Sequence, residues 1–190
     1  MTHRSIRDVL DEWFLPLGDP GHGQKRELWW KSTPEFDADL RDRFGEASAR
    51  AIAGNLDAWM KSPDGALALV ILCDQVPRNI HRRSARAFAG DAKAREVARV
   101  ALARHYPAVF PVPMRQFFYM PFEHSENLGD QHLACALFEG CDDPENLKYA
   151  LQHRDIVARF GRFPHRNEVL ERACTDAELE YLRNAERFGQ

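Results

Sequence analysis

The chain has 190 residues, 44% hydrophobic and 29% charged, an ordinary globular composition with enough length to bury a sizeable core. Twenty-six Lys and Arg against 29 Asp and Glu give a formal charge of −3, so no global basic field draws in nucleic acid or an anionic membrane. The N-terminal stretch MTHRSIRDVLDEWF breaks every apolar run with charge, unlike a signal peptide, and no run approaches the roughly 18 apolar residues of a membrane span. The four cysteines, at 73, 135, 141 and 174, have no CxxC spacing and read as reduced structural thiols, so the expected location is cytoplasmic.

The first predicted helix starts at a capping box, Ser5 with Asp8, and carries Ile6, Val9, Leu10, Trp13 and Phe14 at helical spacing. Leu15 to Gly23, rich in Pro and Gly, is a loop. Thr33-Pro34 is an N-cap followed by a first-turn proline, opening a helix through Phe36, Leu40, Phe44, Ala47 and Ala51 that ends near Gly54-Asn55. Ser62-Pro63 repeats the signal and opens a helix apolar all round from Ala66 to Val76, the pattern of a central helix that Pro77 should stop.

Ala94, Val97, Ala98, Ala101 and Leu102 mark the next long helix, bounded by Pro107. After a Pro-rich connector come a short helix around Met114 to Tyr119, a helix from about Glu123 to Phe138 and another from Pro144 to Phe160. Thr175 with Glu178 forms the last capping box, with Leu179 and Leu182 as the inner stripe of the final helix. No strand alternation is visible and no linker divides the chain. The expected fold is a single all-α domain, 1–190, of seven to nine helices in antiparallel pairs, without a regular 34-residue repeat.

Three polar signatures interrupt this helical pattern: DQVPRN from Asp74, PFEHSE from Pro121, and HRDIVARFGRFPHRN from His153 to Asn167. At 100° per residue Asp74 falls about 20° from Leu67, and Glu123, Asn127 and Asp130 fall within about 40° of Ala134. His153 lies among Tyr149, Ala150, Ile156, Val157 and Phe160, so all five polar residues are expected to face inward. Carboxylates so placed need partners. The segments differ in charge: Asp74 to Arg86 has four arginines and one acid, Pro121 to Gln131 has three acids and no Lys or Arg, and His153 to Asn167 has four arginines and two histidines.

The plain reading of this charge pattern is an interhelical network that fixes packing, as in a structural or protein-interaction module. A sharper one makes Arg78, Arg82, Arg159, Arg162 and Arg166 a clamp for a carboxylate or phosphate, with His153, His124 or His165 as acid or base. Asp74, Glu123, Asp130 and His153 could instead hold Mn, Fe or Mg, although the paired Glu-x-x-His motifs of di-iron bundles are absent. A peptide groove on a helical stack is a further reading. GxGxxG, P-loop, GxSxG and HExxH motifs are missing, and Ser125 beside His124 is no evidence for a triad because sequence neighbours on a helix do not face each other. The lead expectation is one polar cavity that takes a small anionic molecule, lined by Asp74, Arg78, Asn79, Arg82, Glu123, His124, Glu126, Asp130, His153, Arg159, Arg162, His165 and Arg166. The competing class is the structural or interaction module, and a second alternative is a metal-dependent or acid/base enzyme using His153 and Glu123. No cofactor is named by any motif.

The stretches WMKSPDGALALVILCDQVPRNIHR from Trp59, Ala85 to Ala92 with Phe88 and Asp91, FFYMPFEHSENLGDQ from Phe117, and His153 to Asn167 resemble the bacterial family of unknown function numbered 924. With Phe36-Asp37 and the Thr175 to Leu182 ending, the resemblance spans nearly the whole chain. It implies an all-helical, tetratricopeptide-like fold and no activity. Departures are slight: Cys73 stands where Leu is usual, and Glu168 to Ala173 lacks an expected glycine.

Overall fold

The computed structural model describes residues 4–141 and 143–184, and among them all regular structure is helical. Two compact units emerge: the first runs to His81 and resumes over Arg86–Pro121, and the second comprises Arg82–Ala85 and the chain from Phe122.

The first unit holds α1 (Ile6–Phe14), α2 (Pro34–Ile52), α3 (Pro63–Val70), α4 (Val76–Ile80), α5 (Asp91–Ala103) and α6 (Val112–Arg115). Its helix starts follow the sequence signals. Ser5 and Asp8 close a reciprocal capping box, Thr33 accepts from the Phe36 N–H, and Ser62 accepts from the Gly65 N–H. Every residue of α3 from Ala66 to Val70 is fully buried, which an all-apolar surface requires. Beside it Phe117 meets Trp29, Phe14 and Trp13 edge-on at 4.9, 5.4 and 6.0 Å, the geometry that aromatic quadrupoles favour.

Pro77 does not stop this helix. Residues Ile71–Gln75 form a π turn, marked by a Val76 N–H bond to the Ile71 carbonyl, and α4 continues to Ile80. Pro77 brings no N–H, so the carbonyls four and five residues back, Cys73 and Leu72, lose their donor. The Leu72 carbonyl regains a donor and the Cys73 carbonyl is closely covered. The Ser48 hydroxyl, on α2, donates to the Leu72 carbonyl at 2.7 Å, and Gly90 packs so closely on the Cys73 carbonyl that a Cβ there would lie 2.0 Å from its oxygen. Sequence reasoning took proline as a terminator; a widened turn plus two tertiary contacts overrides that rule.

The second unit is built on α8 (Leu128–Glu139) and α9 (Pro144–Phe160), packed together across a short connection. Phe122 and Glu123, where it begins, end the short helix α7 (Met120–Glu123). The expected continuous helix from Glu123 to Phe138 is broken after α7. Asn127 is exposed and caps α8 by accepting from the Asp130 N–H, so it does not face inward as the helical wheel placed it. Arithmetic at 100° per residue fails across a cap because the cap residue is not helical.

In α9 the buried residues Asn146, Ala150, His153 and Val157 form one inward stripe, and Gly161 closes the helix in the left-handed region at φ 71°. The last helix, α10 (Asp176–Asn184), has the Thr175 and Glu178 capping box, yet Leu179 is 46% exposed and Leu182 only half-buried. The residue turned inward is the cap acid itself, Glu178, at 2% exposure.

Candidate functional site

The first signature builds a closed network inside the first unit. Asp74, wholly buried, has its carboxylate 3.1 Å from the Arg78 guanidinium and accepts from the Gln75 amide at 2.6 Å. Arg78 also donates to the Asp74 carbonyl and to Asp91, both at 2.8 Å, and lies over the Phe88 ring. Asn79 donates to Asp37 at 2.8 Å, and the Ser32 hydroxyl donates to the same oxygen. Asp74 was legible as inward-facing; Asp91 and Asp37 were not recognised as partners, because each sits in the first turn of a helix, where an acid is expected for helix electrostatics alone. Arg82, assigned to the second unit, is exposed.

The second signature is the turn into α8. Ser125 donates to Asp130 at 2.8 Å and accepts from the Asn127 N–H, while the buried Gln131 amide donates to the Glu123 and Ser125 carbonyls, each at 2.6 Å. Ser125 and Asp130 therefore satisfy one another and the helix start. Glu126 accepts the Phe163 N–H at 2.8 Å and is held by both terminal nitrogens of Arg172. Those bonds keep its carboxyl below the usual range although burial pushes it up. Arg172 was missed by the sequence reading, and no local signal marks it.

The second unit also holds the Glu123–His153 pair. Both residues are buried, with Glu123 Oε1 3.2 Å from His153 Nδ1 and the Tyr149 carbonyl 2.9 Å from the same nitrogen. Both neighbours are acceptors, so Nδ1 carries the proton and the tautomer is set. The His153 ring stands edge-on to Phe163 at 5.4 Å, His165 lies 5.4 Å from that ring on a tilted plane, and the Arg166 guanidinium covers it at 4.5 Å. Burial is the main force that pushes His153 down to about 3, and His124, Arg166 and His165 add to it against the Tyr149 bond. His165 is pushed down to about 4 by burial and by Arg166. Both imidazoles are neutral at neutral pH.

The arginines of the third signature divide sharply. Arg162 grips Glu178 through Nε at 2.6 Å and Nη2 at 2.8 Å and also donates to the Ala173 carbonyl; chiefly through that grip, the Glu178 carboxyl is held down at about 2. Arg166, buried, donates to the His124 carbonyl at 3.0 Å. Arg159 is exposed and stacked 4.7 Å over its neighbour Phe160, and among the described residues it has no acidic partner. An open cavity of about 460 Å³ lies here, lined by Arg159, Phe160, Arg162, Thr175, Ala177 and Glu178. Among the described residues no group of three or more His, Cys, Asp or Glu could hold a metal ion.

The family described as "Bacterial protein of unknown function (DUF924)" matches residues 9–186. The chain belongs to this family. A solved structure of a protein of unknown function from Agrobacterium tumefaciens, 37% identical, superposes with a TM-score of 0.85 over 95% of this chain and 97% of that one. No curated protein matches. The family is therefore established, and among the described residues the architecture is all-helical. No helix among the described residues is long and apolar enough to cross a membrane.

Proposed function

We propose that this protein binds a small anionic molecule at the cavity around Arg159. The observation that carries the reading is the contrast among the arginines. Arg78 and Arg162 are engaged with carboxylates and Arg166 with a carbonyl and a ring, whereas Arg159 lines an open cavity and, among the described residues, pairs with no acid, the Glu178 of that lining being held by Arg162. Stacking on Phe160 covers the guanidinium face, and the N–H groups along its edge suit an anion. Arg162 and Glu178 cancel, so the lining carries a net charge of one positive unit from Arg159.

On this reading the other signature residues serve the scaffold. Asp74, Arg78 and Asn79 brace the π turn, and Glu123, His124, Glu126, Asp130, His153, His165 and Arg166 clasp the segment after α9 on which the cavity rests. Buried polar networks of this kind specify one packing more than they add stability. The four cysteines are all free thiols, which fits action in the reducing cytoplasm.

The test is titration of the 15N-labelled protein with acetate and with inorganic phosphate. Saturable shifts at the Arg159 side chain and the Thr175 amide, lost in Arg159→Gln, are the expected result. Shifts absent with both anions, or unchanged in Arg159→Gln, overturn the proposal.

A further inference from the structure

Resting on that reading, we infer that the cavity's occupant is a monocarboxylate with an apolar body, rather than phosphate or another polyanion. Two features select this class. The first is charge: among the described residues one uncompensated guanidinium lines the cavity, because Arg162 is neutralised by a bidentate pairing with Glu178. A monoanion balances Arg159 exactly once, while a dianion would sit beside the Glu178 carboxylate with its second charge unmatched. The planar guanidinium fork also matches a carboxylate edge through two parallel N–H···O bonds.

The second feature is the apolar lining beside the charge. Phe160 and the Ala177 methyl line the same cavity, and Phe160 is held in place by Arg159 on one side and by Tyr181, whose ring lies 5.1 Å away. Behind them Ile156, Val157 and Phe163 form a small buried apolar cluster. This lining gives an apolar body something to cover, and among the described residues the other cation of the lining, Arg162, is already taken by Glu178. The Thr175 hydroxyl, already accepting from the Glu178 N–H, keeps its own hydrogen to donate toward a carboxylate oxygen.

Four probes decide it by equilibrium titration of the full chain: benzoate, acetate, inorganic phosphate and uncharged benzyl alcohol. Benzoate should bind about tenfold tighter than acetate, because the ring adds apolar burial at unchanged charge, and tighter than phosphate, whose second charge is unmatched. Benzyl alcohol should not bind detectably. Ala177→Leu, which fills the apolar side, should weaken benzoate more than acetate; Arg159→Gln should weaken both acids. Phosphate as tight as benzoate, or benzoate no tighter than acetate, overturns the inference and leaves the anion-binding reading intact. Failure of all three anions overturns both.

Discussion

Replacing Gly90 with alanine is expected to cost at least about 3 kcal/mol of stability, lowering the melting temperature by roughly 6–12 °C. The cause is steric. A Cβ at residue 90 would stand 2.0 Å from the Cys73 oxygen and 2.9 Å from its carbon, and both are backbone atoms that no rotamer change can move aside. The contact exists because Pro77 obliges the helix to widen at Ile71–Gln75, placing the Cys73 carbonyl against the start of α5. Gly45→Ala is the control. It lies inside α2, where an added methyl makes only ordinary contacts, with the Ile80 Cδ1 at 3.8 Å and the Arg41 Cγ at 3.9 Å, so the change should stabilise by about 0.5–1 kcal/mol. Thermal unfolding of the two variants checks the pair, and a Gly90→Ala protein as stable as Gly45→Ala would refute the close contact.

The second large effect is acid sensitivity. His153, pushed down to about 3, and His165, at about 4, both lie below the imidazole's ordinary value near 6.5. The unfolded chain therefore takes up these protons first, and stability is fully present above about pH 6.5 and falls as the pH drops toward 4. Each site contributes at most about 1.4 kcal/mol per pH unit, so roughly 2–5 kcal/mol is lost between pH 7 and 4.5. The carboxylates with lowered values, Asp8, Glu35, Glu126 and Glu178, lose their contributions only below about pH 4.5, so the histidine phase comes first. Denaturant unfolding across pH should show this slope, reduced by one proton in His153→Gln. Stability rising from pH 7 to 5 would mean instead that His153 is protonated and ion-paired with Glu123.

Much of the architecture was legible because the local signals are strong and agree. Ser5, Thr33, Ser62 and Thr175 each cap the helix they announce, and Gly161 ends α9. The family resemblance, carried by the DQVPRN and PHRN stretches, pointed to the family the chain belongs to. What escaped was set by tertiary contacts: the survival of the helix through Pro77 depends on Ser48 and Gly90, distant in sequence. The break at Asn127 escaped because a continuous wheel carried its polar side chains inward.

The polar residues divide along the same line. Periodicity placed Asp74, Glu123, Asp130 and His153 inside, and all four are buried. It did not find the partners that come from other elements: Asp91 for Arg78, Arg172 for Glu126, Glu178 for Arg162. Removing these pairs by distance is what isolates Arg159.

The most direct test of that division is the melting temperature of Arg159→Gln beside Arg162→Gln, each measured with and without saturating benzoate. Arg159→Gln should melt with the parent protein and gain nothing from the ligand. Arg162→Gln, which strands the buried Glu178 carboxylate, should melt several degrees lower. Equal destabilisation of the two variants, or benzoate stabilisation undiminished in Arg159→Gln, would contradict the account.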